Sequence, residues 1–303
     1  MRARLIGVDW GTTSLRAHLI GAGGLALETR ETNEGLRALG PGLFEPALAR
    51  VVGDWRQAHG ALPIVCSGMV GARTGWLEAP YVACPADASA IARGIVALDT
   101  ASLGRVHFIP GVRQADDVMR GEETQIIGAL VNGASDGLFV LPGTHSKWVH
   151  VDGATITRFT TIMTGDVYAA LKGHTILAAT TGAPDGDEGF ARGLDMARAL
   201  DGPGDVIARL FSLRVAALDG ALTPQHSANV LSGLLIGAEL RQMAQGAQRF
   251  TLIANDDLAR RYEIAAQAMG LEARRASGHC AAQGQYVLAY AAELIAATVE
   301  DSE

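Results

Sequence analysis

Two short turns in the sequence combine small residues with hydroxyl side chains, a combination that suits the binding of phosphate. The first turn contains Gly11, Thr12 and Thr13, and Asp9 precedes it at the end of an apolar segment. The second turn, residues 143–146, reads Gly-Thr-His-Ser and is followed by a lysine. Small residues leave the backbone N–H groups accessible, and consecutive N–H groups form a concave anion site. Each turn is therefore predicted to hold phosphate oxygens.

Phosphoryl transfer also needs a metal ion that offsets the developing charge and a group that orients or deprotonates the attacking hydroxyl. Asp9 is the candidate ligand for Mg²⁺, which favours one or two carboxylates together with phosphate oxygens. Many hairpins of this composition bind nothing, so the prediction rests on the pair of turns. The residues of the two turns predicted to bind the nucleotide are Gly11, Thr12, Thr13, Gly143, Thr144, His145 and Lys147.

Strands of alternating polarity are predicted on both sides of each turn. Residues 4–31 give a three-stranded meander, and the same order of strand and turn recurs over residues 136–162. Such a repeat is typical of a duplicated fold. The remaining segments are mainly helical, with helices predicted over residues 45–59, 85–97, 166–172, 189–200, 205–218, 224–245 and 257–270.

We therefore expect an α/β protein of two similar lobes with a nucleotide between them. The N-terminal lobe is predicted over residues 1–112 and the C-terminal lobe over residues 113–282, joined by a short hinge near residues 110–117. A final helix is predicted within residues 283–303, and packing of this helix on the first lobe is one alternative. A chain of 303 residues is long enough for two domains.

The composition argues against several classes of protein. The net charge is −7 and the basic residues are scattered, which does not suit a nucleic-acid binder. No apolar run reaches the roughly 18 residues of a membrane span, and a strand predicted to begin at residue 4 leaves no room for a secretion signal. Three separated cysteines suggest neither disulfides nor a zinc site. We expect a soluble cytoplasmic protein with three buried thiols and a small-molecule partner.

Seven strings of the sequence resemble known motifs. DWGTTSLRAHLI and LPGTHSKWV resemble the two phosphate motifs of the actin-like ATPase superfamily, to which hexokinase and actin belong. The strings SGMVGARTGW, MRGEETQIIGAL, LPGTHSKWV, MTGDVYAAL, LSGLLIGAE and RYEIAAQAMG resemble the 2-dehydro-3-deoxygalactonokinase family and follow its order over nearly the whole chain. The resemblance implies two ribonuclease-H-like lobes, ATP, Mg²⁺ and transfer of the γ-phosphate to the 6-hydroxyl of 2-dehydro-3-deoxy-D-galactonate.

The resemblance also suggests where the catalytic base lies. Hexokinase-like relatives carry it at the start of the helix before the second phosphate strand, and Glu123-Thr124 resembles the Asp-Thr found there. Glu123 and its neighbour Glu122 are therefore the candidate bases, and Asp166 is the next candidate. The alternative is that the two glutamates only stabilise the N-terminus of a helix.

A sugar acid needs a cation or N–H donors for its carboxylate, and four basic side chains are candidates: Arg16, Arg73, Arg120 and Lys147. Arg73 is preferred, and the predicted substrate residues are Arg16, Met69, Gly71, Arg73, Trp76 and Asp166. Arg16 is equally well explained as an exposed strand arginine. Trp10 and Trp148 flank the turns and are interpreted as walls of the site, with burial in the core as the alternative.

Three further residues are candidates for the adenosine. Gly233 and Gly237 lie four residues apart on one predicted helix face, which suits either close helix packing or contact with a purine. Asn255 stands where the family resemblance leads us to expect a glycine-type turn, and we expect it to adopt the left-handed conformation in its place. These assignments complete the predicted site.

Two other functions remain open at this stage. A phosphatase or exopolyphosphatase of the same superfamily would use water instead of a sugar hydroxyl, and a non-catalytic member would only sense a nucleotide or sugar. A helix-turn-helix extension is not expected before the first phosphate motif. A homodimer is possible but not specified by the sequence.

Overall fold

The computed structural model describes residues 1–40, 42–184, 186–202 and 205–296. Within these ranges, no helix is long and apolar enough to cross a membrane. The chain forms two units: the first contains residues 1–137, 149–159 and those from Ala276 onward, and the second contains residues 138–148 and 160–275. These ranges differ from the domain bounds that the sequence suggested. Residues 297–303 of the predicted final helix lie outside the described residues.

The first unit contains a six-stranded sheet in the order β3-β2-β1-β4-β7-β6. Its strands are β1 (Leu5–Trp10), β2 (Leu15–Ile20), β3 (Ala26–Thr32), β4 (Ile64–Ser67), β6 (Val96–Thr100) and β7 (Gly104–Phe108). The first three form the predicted antiparallel meander, whereas β4 lies parallel to β1 and β7 lies parallel to β4. Asp9 is in register with Arg16 on β2 and with Ser67 on β4.

Four helices and a small sheet complete this unit. The helices are α1 (Phe44–His59), α2 (Ala88–Arg93), α3 (Glu122–Val131) and, near the end of the chain, α9 (Cys280–Ala291). The small sheet contains β5 (Val82–Ala83), β8 (Val112–Arg113) and β9 (Val118–Met119). Helix α1 buries one apolar face against the meander, together with Trp10 and Phe108.

The helix predicted over residues 85–97 is shorter than expected. The side chain of Asp87 caps α2 by accepting the N–H of Ala90 at 2.7 Å. The helix ends before Gly94, where a Cβ atom would lie 2.9 Å from the ring of Pro110. The following apolar residues form β6, which pairs antiparallel with β7. A short apolar run suits either a helix or a strand, which is why the prediction was wrong here.

Helices α3 and α9 pack with their backbones in contact. A Cβ atom added to Gly284 of α9 would lie 1.8 Å from the carbonyl oxygen of Thr124 in α3. A Cβ atom added to Gly128 of α3 would lie equally close to the carbonyl oxygen of Cys280. Any larger residue at either position would therefore separate the two helices.

A second sheet has five strands in the order β12-β11-β10-β13-β14. These are β10 (Gly137–Leu141), β11 (Ser146–Asp152), β12 (Thr155–Ile162), β13 (Arg249–Leu252) and β14 (Glu272–Arg275). The first three are the predicted repeat of the meander. Strand β14 was not predicted, because its sequence, EARR, has no apolar alternation.

The described residues of the second unit form five α-helices. They are α4 (Thr164–His174), α5 (Phe190–Arg198), α6 (Asp205–Leu218), α7 (Pro224–Met243) and α8 (Asp256–Ala268). Helix α7 is buried along most of its length and packs on α5. The core of this unit includes Trp148, Phe250 and Tyr262.

We predict that Gly284→Ala destabilises the protein, because the new methyl group would overlap the backbone of α3. Overpacking of this kind costs about 1–3 kcal/mol. The free energy of unfolding, measured by urea denaturation, should fall by at least that amount.

The matched control is Gly53→Ala in α1, where an added Cβ atom meets nothing within 4 Å. That change should stabilise the protein by about 0.5–1 kcal/mol, since alanine favours a helix interior. Equal stability of the two variants would contradict the contact between α3 and α9.

Candidate active site

The first turn, residues 11–14 between β1 and β2, presents backbone N–H groups without acceptors. Its carbonyl groups are held from behind, because those of residues 11, 12 and 13 accept the N–H groups of Leu36, Arg37 and Gly35. Among the described residues, the N–H groups of residues 12, 13 and 14 have no acceptor. Three such groups in sequence can bind an anion.

Gly35 is a residue that sequence reasoning missed. A Cβ atom at this position would lie 2.3 Å from the carbonyl carbon of Thr13 and 2.4 Å from its nitrogen. Only glycine allows the supporting segment to approach the turn so closely. The signal, a glycine after a charged stretch, is too common to predict this role.

The second turn has the same construction. It lies in the loop of residues 142–145 between β10 and β11, which is as long as the loop of residues 11–14, and Ser146 begins β11. The carbonyl of Thr144 accepts the N–H of Asp166 at 3.0 Å, and the carbonyl of His145 accepts Nζ of Lys147 at 2.9 Å. The N–H groups of residues 143, 144 and 145 have no acceptor within the described ranges. Each unit therefore carries one candidate phosphate-binding turn.

Asp9 lies beside the first turn of α3. Its pKa is raised to about 6 by burial and by the charge of Glu122, whereas Arg16 and a hydrogen bond from Gln125 act in the opposite direction. A Cβ atom at Gly68 would lie 3.3 Å from an Asp9 carboxylate oxygen and 2.9 Å from the carbonyl oxygen of Trp10. Gly68 and Gln125 are thus additional neighbours of Asp9 that the sequence did not indicate.

The two glutamates of α3 have different surroundings. Glu123 is fully buried, and its carboxylate accepts the N–H of Gly121 at 2.8 and 3.0 Å and the hydroxyl of Thr124 at 3.0 Å. Burial, followed by the charge of Glu122, raises the pKa of Glu123 to about 8. Glu122 is half-buried and accepts the N–H of Arg120 at 2.9 Å. At neutral pH, Glu123 is therefore mostly protonated.

The predicted pocket residues lie in the segment after β4, but they face different surroundings. Met69 and Arg73 are exposed, whereas Gly71 is buried beside the Arg120 guanidinium. Trp76 packs against Trp10, Phe44 and Phe108, with ring centroids 5.6–6.3 Å apart. Trp76 therefore belongs largely to an aromatic core cluster.

Arg16 pairs with Glu31 on β3, with Nη2 and Oε1 2.9 Å apart, and both side chains are about half exposed. This is the arrangement expected of an exposed strand arginine. A role of Arg16 toward substrate stays a prediction.

The interpretation of Trp10 and Trp148 as walls of the site was wrong. Their relative exposures are 0% and 1%. Trp10 donates its indole N–H to the carbonyl of Glu34 at 2.8 Å, and Trp148 donates its own to Glu239 at 2.7 Å. Both rings contribute to the core.

Glu239 of α7 joins the elements around the second turn. This buried carboxylate accepts the Trp148 indole N–H, the Tyr262 hydroxyl at 2.8 Å and the Thr164 hydroxyl. Burial raises its pKa above the ordinary value. Trp148 lies on β11 just after the turn, and Thr164 begins α4, so Glu239 fixes the start of α4 relative to the strand.

Asp166, two residues into α4, lies close to the second turn. Besides its N–H bond to Thr144, its carboxylate is 3.6 Å from Nε2 of His145. A Cβ atom at Gly165 would lie 2.4 Å from the carbonyl oxygen of Gly143, so the start of α4 touches the turn. Roles for Asp166 as a base or substrate ligand stay predictions.

Close helix packing explains both glycines of α7. A Cβ atom at Gly233 would lie 2.2 Å from the carbonyl oxygen of Phe190, and one at Gly237 would lie 2.6 Å from Cβ of Ala197. Both contacts are with α5. Their contact with a purine stays a prediction.

The expected left-handed conformation of Asn255 is not observed. Its φ of −67° and ψ of 164° are extended, and its side chain caps α8 by accepting the N–H of Leu258 at 3.0 Å. Asparagine is a favoured residue at this N-cap position, which explains its presence. Its contact with adenosine stays a prediction.

The three cysteines are free thiols, but only Cys66 and Cys280 are buried, so the expectation of three buried thiols was wrong for the half-exposed Cys84. Within the described part of the chain, no three His, Cys, Asp or Glu side chains are grouped to hold a metal ion.

Comparison with known proteins places the chain in a family. Residues 9–288 match the model of the family described as 2-keto-3-deoxy-galactonokinase. The chain belongs to the 2-keto-3-deoxy-galactonokinase family. It is 38% identical to the 2-dehydro-3-deoxygalactonokinase of Escherichia coli K12 over 293 residues, covering 93% of this chain and 96% of the relative. The family resemblance of the sequence motifs is confirmed.

Two solved structures support the fold. The first is the crystal structure of a Sinorhizobium meliloti protein that is assigned as a 2-dehydro-3-deoxygalactonokinase by inference. Its sequence is 32% identical to this chain, and the match covers 95% of this chain and 98% of the solved chain with a TM-score of 0.84. The activator of 2-hydroxyisocaproyl-CoA dehydratase from Clostridium difficile, solved with bound ADPNP, is 11% identical with a TM-score of 0.51 and covers 95% of this chain and 96% of its own. The predicted α/β fold is confirmed, and the chain shares the fold of this ADPNP-binding activator.

The raised pKa of Glu123 makes stability depend on pH. The pKa of Glu123 is about 8 in the folded chain and 4.5 ordinarily. The stability that the protonated Glu123 carboxyl group contributes is therefore complete below pH 4.5 and is lost as pH rises through 8. We predict that Glu123→Gln, which stays neutral, gains stability over the wild type between pH 5 and pH 9, on the order of a few kcal/mol. Thermal melting across this pH range measures the gain.

Asp9→Asn is the control. Because the pKa of Asp9 is about 6, the contribution of Asp9 to the free energy of unfolding changes at a lower pH than that of Glu123. The gain in stability of Asp9→Asn over the wild type should be nearly complete by pH 7. A stability difference between Glu123→Gln and the wild type that does not vary with pH would contradict the burial of an uncompensated carboxyl group.

Proposed function

We propose that the chain transfers the γ-phosphate of ATP to the 6-hydroxyl of 2-dehydro-3-deoxy-D-galactonate, a step of galactonate degradation. The observation that carries the proposal is the pair of turns, each with three consecutive N–H groups that have no acceptor among the described residues. A nucleoside triphosphate is the kind of ligand that needs several such donors. Membership in a kinase family supports the same reaction.

The residues present fit ATP with Mg²⁺. In this proposal the turns bind phosphate oxygens through residues 12–14 and 143–145, and Lys147 stays behind the second turn, with Nζ on the carbonyl of His145. Asp9 would hold Mg²⁺ directly or through water, and the bound ion supplies charge neutralisation at the transferring phosphate. Gly233, Gly237 and Asn255 remain the proposed neighbours of the adenosine.

The base is proposed to come from the first turn of α3. Glu122 is the better placed of the two glutamates, because it is half-buried and its charge acts on Asp9. Glu123 is fully buried with its oxygens bonded to Gly121 and Thr124, which suits a positioning residue. This order reverses the one that the sequence favoured.

We also propose that the reaction takes place in the cytoplasm, where ATP is available. The free state of the three cysteines is compatible with a reducing compartment. The homodimer stays a prediction.

We predict ADP release that depends on the sugar acid. A coupled ADP-release assay should show turnover with 2-dehydro-3-deoxy-D-galactonate and weaker turnover with its gluconate epimer. Asp9→Asn should lower kcat by about 10²-fold or more, because loss of the carboxylate removes metal placement. Titration with Mg²⁺ should show a raised metal requirement for the variant.

ADP release that is equally fast without a sugar acid would support a phosphatase instead of the proposed kinase. An Asp9→Asn variant with wild-type kcat and an unaltered Mg²⁺ requirement would remove Asp9 from the site. Melting temperatures must be compared, so that a rate loss is not caused by unfolding.

The two glutamates should separate in kcat. If Glu122 takes the proton of the attacking hydroxyl, Glu122→Gln should lose about 10²–10⁴-fold in kcat with little change in KM. Glu123→Gln keeps a neutral side chain in the same place and should lose much less at neutral pH. Asp166→Asn is measured in parallel, since a large loss confined to it would contradict the assignment to α3.

A further inference from the structure

Arg120 carries a buried guanidinium group with too few partners. Arg120 follows β9 in the sequence and precedes α3, and the residue is 7% exposed. Nη2 donates to the carbonyl of Ala79 at 2.7 Å, and the guanidinium carbon lies 4.2 Å from the centre of the Tyr81 ring. Nε and Nη1 are buried and have no hydrogen-bond acceptor in the part of the chain that the structure describes.

This arrangement is incomplete for a charged group. Arginine remains protonated in proteins, so burial cannot be relieved by loss of a proton. Buried charges are normally paired with an opposite charge, and buried N–H groups normally have an acceptor. Within the described ranges, no carboxylate forms an ion pair with Arg120. A guanidinium in these surroundings suits an anion with oxygen acceptors.

The chain makes room for this guanidinium beside the predicted pocket. A Cβ atom at Gly71 would lie 3.1 Å from Nη1 of Arg120, so a side chain at position 71 would press on the guanidinium. Met69 and Tyr81, which belong to the same segment after β4, are both partly exposed at 36% and 37%. Tyr81, whose ring lies against the guanidinium, is thus itself partly in contact with solvent.

The same residue is tied to the proposed catalytic groups. The backbone N–H of Arg120 donates to Glu122 at 2.9 Å, and the charge of Glu122 acts on Asp9. The other cations that the sequence offered are less suitable. Arg16 is paired with Glu31, Lys147 bonds the carbonyl of His145, and Arg73 is exposed to water.

We propose that Arg120 binds the carboxylate of the sugar acid and thereby sets the preference of the enzyme for acids over neutral sugars. This inference rests on the proposed kinase function. A carboxylate oxygen accepts a hydrogen bond from Nε, and the charge of the guanidinium offsets that of the carboxylate. A charge-assisted hydrogen bond in a buried site is stronger than one between neutral groups.

The test compares two substrates in the ADP-release assay: 2-dehydro-3-deoxy-D-galactonate and its primary amide, in which CONH₂ replaces the carboxylate. The wild type should favour the acid by about 10²-fold or more in kcat/KM. Arg120→Met should lose about that factor with the acid and almost nothing with the amide, so the preference should fall close to one. KM for ATP should stay within about threefold of the wild type, a change smaller than one hydrogen bond is worth.

Arg113→Met is the matched control, because Arg113 is an exposed arginine on β8, and β8 belongs to the small sheet whose strand β9 immediately precedes Arg120. It should keep the preference of the wild type. A wild type that is inactive with every sugar acid contradicts the proposed function itself. An active wild type whose preference survives Arg120→Met, or is abolished by Arg73→Met alone, contradicts the role of Arg120.

A measurement on the unaltered chain does not depend on the folding of any variant. In ¹⁵N-labelled wild-type protein, the Nε–H resonance of Arg120 should shift when the sugar acid is added without ATP, because a carboxylate oxygen becomes its acceptor. The amide analogue should shift it much less. A resonance that stays in place at saturating sugar acid contradicts the proposal.

Discussion

The direct backbone contact between α3 and α9 determines where the first turn of α3 can lie. Gly128 and Gly284 bring each helix against a carbonyl of the other, so the helices cannot slide without a clash. Helix α3 thereby places Glu122 and Gln125 next to Asp9. Helix α9 also reaches the strand ends, because Gln285 donates to the hydroxyl of Ser67, the residue in register with Asp9. A segment from the far end of the chain thus supports the candidate metal ligand.

Burial and its surroundings give each carboxylate different properties. With a pKa of about 6, Asp9 is mostly ionised at neutral pH, whereas Glu123, with a pKa of about 8, is mostly protonated. Asp9, Glu122 and Glu123 therefore do not all carry a negative charge at neutral pH. A bound cation would favour the ionised form of Asp9 still further. Glu239 in the other unit receives hydrogen bonds from Trp148, Tyr262 and Thr164 instead. Glu239 thereby connects α7 with β11, α4 and α8.

The sequence predicted the features that depend on local patterns. Alternating polarity gave both meanders, and small residues with hydroxyl groups gave both turns. The supports of these turns were not predictable, because Gly35 and Glu239 come from distant segments and resemble any other glycine or helical glutamate. The burial of Trp10 and Trp148 was missed because position beside a turn does not reveal which face of the strand is covered. Asn255 was misjudged because capping and a left-handed turn favour the same residue.

A chain with a net charge of −7 must bind two anions if it is a sugar-acid kinase. Long-range attraction cannot draw them in, so local donors have to offset the repulsion. In the proposed function, backbone N–H groups do this for phosphate at each turn without adding charge. The carboxylate of the sugar acid would approach the side of the first unit that also carries Asp9 and Glu122, and there a cation offsets the repulsion between like charges most directly. Arginine suits this place, because a buried guanidinium keeps its charge where an ammonium group could lose its proton. For this reason we propose that the carboxylate of the substrate and the guanidinium of Arg120 complement each other.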